Sequence, residues 1–126
     1  NAKADVVLSL HRSEGFGLVL AQAMAAGKTV VATGWSGNVD FMTKADSVLV
    51  DYALVRVRDR QGFYRGGLWA EPDIEDAAAK LKVLLGDPDR RRDLGRRAQA
   101  AIALKLDPGA IGRQARVWLG HDLAEP

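Results

Sequence analysis

Two glycine-bearing segments hold the residue types that could do chemistry: His11-Arg12-Ser13-Glu14-Gly15-Phe16-Gly17 and Gly34-Trp35-Ser36-Gly37-Asn38. Each follows an apolar run that reads as a strand, and each feeds toward a helix. In a parallel α/β sheet such loops lie side by side at the carboxyl edge, where ligands bind. Glycine lets the backbone approach a ligand closely, and the free N–H groups of a helix's first turn attract phosphate. The pattern therefore predicts an anion or nucleotide site lined by residues 11–18 and 34–40. It is not a Walker loop, since no Gly-x-x-x-x-Gly-Lys-Ser/Thr occurs. Gly15-Phe16-Gly17-Leu18 also lacks the third glycine of the dinucleotide fingerprint.

The elements that must position these loops follow from the apolar pattern. Val6-Val7-Leu8-Ser9-Leu10 reads as a strand buried on both faces, and Thr29-Val30-Val31-Ala32-Thr33 as a second. Between them Leu18 to Ala26 forms a short apolar helix closed by Gly27, the residue favoured just past a helix C-terminus. Strand, helix, strand makes a βαβ unit, which requires a parallel pair with a right-handed crossover. Ser47 to Val50 is a third strand. Residues 51–70 read as a connection holding one short edge strand, from the alternation Leu54-Val55-Arg56-Val57-Arg58. From 71 onward the pattern is helical. Asp73 caps Ile74 onward with Asp76 in a capping-box position, and the apolar face is Ile74, Ala77, Ala78, Leu81, Leu84 and Leu85. Asp87-Pro88 and Asp107-Pro108 each start a further helix. The fold class is α/β: a partial Rossmann-like parallel sheet flanked by helices.

Composition narrows the function classes. The chain has 126 residues, 18 Lys+Arg against 16 Asp+Glu, and a formal charge of +2, which argues against a dedicated nucleic-acid binder. Apolar residues make up 48%, enough for a core. The absence of cysteine removes disulfide frameworks, thiolate metal sites and cysteine nucleophiles together. His11 and His121 alone are a poor basis for a histidine metal site, so no metal ligands are expected. No apolar run approaches the roughly 20 residues needed to span a bilayer. The chain lacks an initiator methionine and opens almost directly into a strand, so it reads as a piece of a longer protein.

Ser13-Glu14-Gly15-Phe16-Gly17-Leu18, then Ala23 to Thr33, then Ser36-Gly37-Asn38-Val39-Asp40-Phe41-Met42, resembles the donor-binding domain of GT-B glycosyltransferases of the group 1 type, family 4. That family's signature is a glutamate, seven intervening residues and a second glutamate, with Gly-Phe-Gly-Leu inside it. The resemblance is strong over about the first 50 residues and looser at Trp69-Ala70-Glu71-Pro72-Asp73 and the terminal helices. It implies residues 1–126 are a single incomplete nucleotide-sugar-binding domain in the C-terminal lobe, with 1–50 as its βαβ donor-site core.

By the resemblance, Glu14 matches the first glutamate, which contacts donor-sugar hydroxyls beside the reacting centre and makes it the catalytic position. The backbone of Gly15, Phe16, Gly17 and Leu18 would meet the sugar and diphosphate. His11 borders the donor pocket, and Ser36, Gly37 and Asn38 approach the diphosphate or sugar. Position 22 matches the second glutamate, which accepts hydrogen bonds from the ribose; here it is Gln22. A glutamine oxygen still accepts from a hydroxyl, without the charge assistance that roughly doubles such a bond. The implied reaction moves a sugar, with retention, from a UDP- or GDP-sugar to an acceptor hydroxyl, with no cofactor and no divalent metal. The acceptor, a glycan, lipid or small molecule, would sit on an N-terminal lobe outside this chain. The isolated segment would be silent. The expected setting is cytoplasmic, with peripheral contact at the inner face of the membrane.

Blander readings stand beside these. Glu14 could be a solvated loop carboxylate, His11 a structural histidine, Gln22 mere surface and Gly37-Asn38 a simple turn. The side chains of Phe16, Met24, Phe41 and Met42 read as packing. The alternative function is a non-catalytic nucleotide-sugar-binding or scaffolding module, for which the missing second glutamate speaks. Arg90-Arg91-Arg92 with Arg96 and Arg97 could form an anionic-surface contact, but Asp87, Asp89 and Asp93 interleave and predict a solvated, self-paired helix face. A sheet truncated at its first strand would expose an edge that invites self-association.

Overall fold

The computed structural model describes residues 5–120. Strands β1 (Val6–Ser9), β2 (Thr29–Thr33) and β3 (Val48–Val50) form a parallel sheet in the order β1-β2-β3. Val7 pairs with Val30, and Val31 with Val48. Helix α1 (Leu18–Ala25) makes the crossover from β1 to β2, and Gly27 closes it at φ 69°. The α/β class and the βαβ unit are therefore as the apolar pattern predicts.

The core lies on both faces of β2, every residue of which is buried. Alternation decides which side chain goes where. Val30 and Ala32 pack with Leu20, Met24, Phe41 and Met42, while Val31 packs on the other face with Val50, Ala77 and Leu84. Helix α3 (Pro88–Lys105) serves both layers: Leu94 joins the second cluster, and Ala98 and Ile102 the first. β1 differs from expectation. It pairs only with β2 and is half-buried, with Leu8 exposed, because its outer edge has no neighbour among the described residues.

Residues 51–70 also differ. In place of one edge strand, β4 (Tyr52–Arg56) and β5 (Leu68–Pro72) pair antiparallel as a separate two-stranded hairpin, with Leu54 opposite Ala70. The pairing spans a loop of eleven residues between the strands, too long for a turn signal to announce it. Helix α2 (Ile74–Gly86) then starts with Asp73 accepting from the amide of Asp76 at 3.0 Å. The reciprocal half of the capping box is not made. The Asp76 carboxylate instead accepts from the amide of Asp51 at 2.8 Å and from Lys80 Nζ at 2.6 Å. Of the apolar face predicted for α2, Ala77 and Leu84 are buried, whereas Ile74, Ala78 and Leu85 are exposed.

Asp87 and Asp107 cap α3 and α4 (Pro108–Trp118), accepting from Arg90 N and Ala110 N at 2.9 and 2.7 Å. Four of the five arginines of α3, Arg91, Arg92, Arg96 and Arg97, are spent within the protein. Arg92 pairs with Asp89, Arg96 and Arg97 share Asp93, and Arg91 donates to the last carbonyls of α2, Leu84 and Leu85. That is the self-paired face the interleaved aspartates predict. Among the described residues no helix is long and apolar enough to cross a membrane.

Candidate functional site

Parallel pairing of β1 and β2 puts the loops 10–17 and 34–38 at the same sheet edge, and hydrogen bonds join them. The Glu14 amide donates to Ser36 Oγ at 3.1 Å. The Glu14 carbonyl accepts from that hydroxyl at 2.7 Å and from the Gly37 amide at 3.0 Å. The Glu14 backbone is thus gripped on both polar groups, and only its side chain is left to act. Its carboxylate is half-buried and has no ion-pair partner among the described residues.

The grip has a conformational cost. Ser36 stands at φ 80°, ψ −158°, a region that is essentially glycine's, at about 1–3 kcal/mol. Two hydrogen bonds between its hydroxyl and the Glu14 backbone, and a third from the adjacent Gly37 amide, hold it there. Gly37 opens a 3-10 turn, Gly37–Asp40, and a Cβ on it would lie 2.0 Å from the Gly15 carbonyl oxygen. Only glycine permits the loops to meet this closely.

His11 and Asn38 brace the pair from beneath. His11 Nε2 lies 3.0 Å from both the Trp35 carbonyl and Asn38 Oδ1. Both partners only accept, so Nε2 carries the proton, and Nδ1 accepts from Ser9 Oγ at 3.1 Å. Asn38 is fully buried, and its Nδ2 donates to the Thr33 carbonyl at 3.0 Å, which fixes the amide's orientation. The sequence pattern sets both residues against a ligand. In the structure their polar atoms are taken by the protein, and they act as the frame that holds the loops.

Gly17, in the left-handed region at φ 94°, ψ 42°, turns the chain into α1. No side chain caps that helix, so the amides of its first turn remain available at the open edge. Leu18 and Val19 are exposed there. Gln22 lies one turn along the same helix, also exposed. The Phe16 ring packs on the buried Phe41 at 5.1 Å, as a packing role requires, while Gly15 is exposed. The structure therefore gathers residues 11–18 and 34–38 at one edge, with Glu14, Gly15, Leu18 and Gln22 presenting groups outward.

The hairpin is part of this edge, which the sequence pattern did not foretell. The Ala70 amide donates to the Arg12 carbonyl at 2.9 Å, and Arg12 grips Glu71 with Nε and Nη2 at 2.7 and 2.8 Å. The Arg12 guanidinium also lies 5.3 Å over the Trp69 ring. The bonds to Glu71 raise the pKa of Arg12, and the same bonds hold the Glu71 carboxyl below its usual range. The two residues are 59 positions apart, so no local spacing signals their pairing.

Residues 1–101 match the family described as glycosyl transferases group 1. The chain belongs to the group 1 glycosyltransferases. The match runs from β1 through most of α3 and takes in both loops and the hairpin. Among relatives, a trehalose synthase of Rubrobacter xylanophilus is 31% identical over 99 residues, 79% of this chain and 19% of that protein. A sulfoquinovosyl transferase, SQD2 of Arabidopsis thaliana, is 32% identical over 98 residues, 78% of this chain and 16% of its own length. The chain thus aligns with less than a fifth of either relative. The matched residues include the segments Ser13 to Leu18, Ala23 to Thr33 and Ser36 to Met42 on which the resemblance was drawn.

Proposed function

We propose that this chain is the donor-binding part of a retaining glycosyltransferase that uses a UDP- or GDP-linked sugar. The observation that carries the reading is the grip of Ser36 and Gly37 on the Glu14 backbone, which holds a carboxylate with no ion-pair partner among the described residues beside the uncapped start of α1. A carboxylate so placed accepts hydrogen bonds from sugar hydroxyls. The α1 amides, together with the helix dipole, favour a diphosphate. Gln22, one turn on, accepts from ribose hydroxyls through its amide oxygen. In the reaction the bond from the anomeric carbon to the diphosphate oxygen breaks, its electron pair leaving on that oxygen. The acceptor oxygen bonds to the same face of the sugar and gives its proton to the departing diphosphate oxygen. Positioned donors stabilise the charge that develops on the diphosphate. The acceptor, a glycan, lipid or small molecule, is held by a second lobe in the whole protein, which works on the cytoplasmic side.

Gln22 also supports a second reading, a nucleotide-sugar-binding module without transferase activity. Calorimetry with a panel of UDP- and GDP-sugars on the intact protein, followed by transfer assays, separates the two. Saturable binding of a donor that Glu14→Gln weakens by about 10- to 100-fold supports the donor site, since that is the range for a hydrogen bond to a charged group. Binding without transfer selects the module. Failure of every donor to bind overturns both.

A further inference from the structure

A cleft of about 660 Å³ opens between the hairpin and the loop after β1, within the range of small-molecule sites. Leu10, Val57 and Leu68 supply its apolar surface, and Tyr64 and Trp69 its aromatic walls. Its polar groups are Arg12, Ser13 and Arg65, and among the described residues no carboxylate lines it. Arg12 is already neutralised by Glu71. Arg65 makes no ion pair among the described residues, so the cleft holds one uncompensated cation.

The wall that carries this cation is built before any ligand arrives. Asp59 accepts from the amides of Gln61 and Tyr64 at 2.8 and 2.9 Å, and Gly67 donates back to the Tyr64 carbonyl at 2.9 Å. Val57 donates to the Gly67 carbonyl at 3.0 Å and closes the base of the tip. The Tyr64 amide above all holds the Asp59 carboxyl below its usual range, so the turn is tied in its charged form. Tyr64 and Arg65 are therefore presented from a tied turn, which lowers the ordering cost of binding. The opposite wall is pinned by Arg12, through its bonds to Glu71 and its place over Trp69.

Aromatic faces over an aliphatic floor suit the C–H face of a sugar ring, while hydroxyls and guanidinium N–H groups suit its rim. A free guanidinium selects an oxyanion, which it can bind with two parallel bonds. We propose that this cleft is a binding site for a sugar that bears an anionic group, a phosphate or a carboxylate, held by Arg65 between Tyr64 and Trp69. The site shares Leu10, Arg12 and Ser13 with the first of the paired loops but lies on its hairpin side, and it does not depend on sugar transfer.

The test titrates glucose, glucose 6-phosphate, glucuronate and inorganic phosphate into the intact protein by calorimetry, with and without a saturating nucleotide-sugar. The site requires glucose 6-phosphate or glucuronate to bind at least tenfold tighter than glucose and than inorganic phosphate; which of the two prevails identifies the anion. Arg65→Gln must abolish that margin while leaving thermal unfolding and nucleotide-sugar affinity unchanged, and Tyr64→Ala must weaken the sugar ligands but not inorganic phosphate. Equal binding of glucose and its charged forms overturns the proposal. So does a margin that survives Arg65→Gln, displacement by the nucleotide-sugar, or inorganic phosphate binding as tightly as the sugar phosphate. Charged-sugar binding without nucleotide-sugar binding would remove the donor reading and leave this one standing.

Discussion

Gly37 lies against Gly15 so closely that a methyl group at position 37 would stand 2.0 Å from the Gly15 carbonyl oxygen. Two loops separated in sequence by a helix and a strand meet there backbone to backbone. Their contact sets where the Glu14 carboxylate points, because Ser36 and Gly37 together hold both polar groups of the Glu14 backbone.

Gly37→Ala forces the loops apart, since the group it strikes is backbone and cannot rotate away. The expected loss of stability is about 1–3 kcal/mol, as for overpacking in a tight interior. Urea unfolding reads that loss directly. Donor affinity should fall by more than the remaining folded fraction explains, because the displaced loop carries Glu14. A variant with native stability and native affinity would show that the close approach does not position the carboxylate.

Asn38 gives a second, independent handle on the same frame. Asn38→Leu keeps the branching at Cγ, with bulkier methyl groups, but removes the donor to the Thr33 carbonyl and one acceptor for His11 Nε2. Leaving a buried carbonyl unsatisfied costs about 1–3 kcal/mol. His11 retains the Trp35 carbonyl, so the ring should keep its Nε2–H tautomer when neutral. Nitrogen chemical shifts of the imidazole check the tautomer, and denaturant midpoints check the loss. An Nδ1–H tautomer in the native protein would contradict the bracing role.

How far these features were legible depends on the range over which they act. The loops, the βαβ crossover and the caps at Asp73, Asp87 and Asp107 are local, so residue type and spacing within a few positions announce them. The hairpin is not local. Leu54-Val55-Arg56 alternates like a strand, but its partner Leu68-Trp69-Ala70 lies beyond a long tip and reads equally well as loop. Arg12 with Glu71 is invisible for the same reason. The contacts by which His11 and Asn38 frame the loops were not legible either. Polar residues beside a ligand-binding loop look alike in sequence whether they face the ligand or the frame, and only burial separates the cases. Asp76 was legible as part of a cap, yet its carboxylate turned to Asp51 and Lys80, partners that the helix pattern does not contain.

That switch of partners makes acid sensitivity predictable. The Asp51 amide, then Lys80, depress the pKa of Asp76 below its ordinary 3.8. Burial pulls Lys80 down, but Asp76 and Asp51 outweigh it and leave its pKa raised. A carboxyl whose folded pKa is depressed binds more protons in the unfolded chain near its ordinary value. Its stabilisation is therefore present above about pH 4 and is lost as the pH falls through the folded value. Asp76→Asn should cost about 1–2 kcal/mol at neutral pH. The gap between variant and native protein should narrow steadily below pH 4. Unfolding curves at pH 7, 4.5 and 3 measure it, and a gap that is constant across that range would remove Asp76 from the account.

Gln22 decides between a working and a lapsed donor site. It stands exposed one turn into α1, where a side chain can swing toward a ligand at the edge without disturbing the core. Gln22→Glu should therefore leave stability within about 0.5 kcal/mol of native, as for most surface changes. Its effect belongs to the ligand. A carboxylate accepting from a ribose hydroxyl gains charge assistance, roughly doubling that bond, so nucleotide-sugar affinity should rise by about fivefold or more. Transfer by the intact protein then separates the cases. A proportionate rise in kcat/KM with kcat unchanged means that Gln22 serves a competent site through uniform binding. Transfer that appears only in the Gln22→Glu protein means that the native chain binds its donor without turning it over. Unchanged donor affinity in the variant would place the ribose away from α1 altogether.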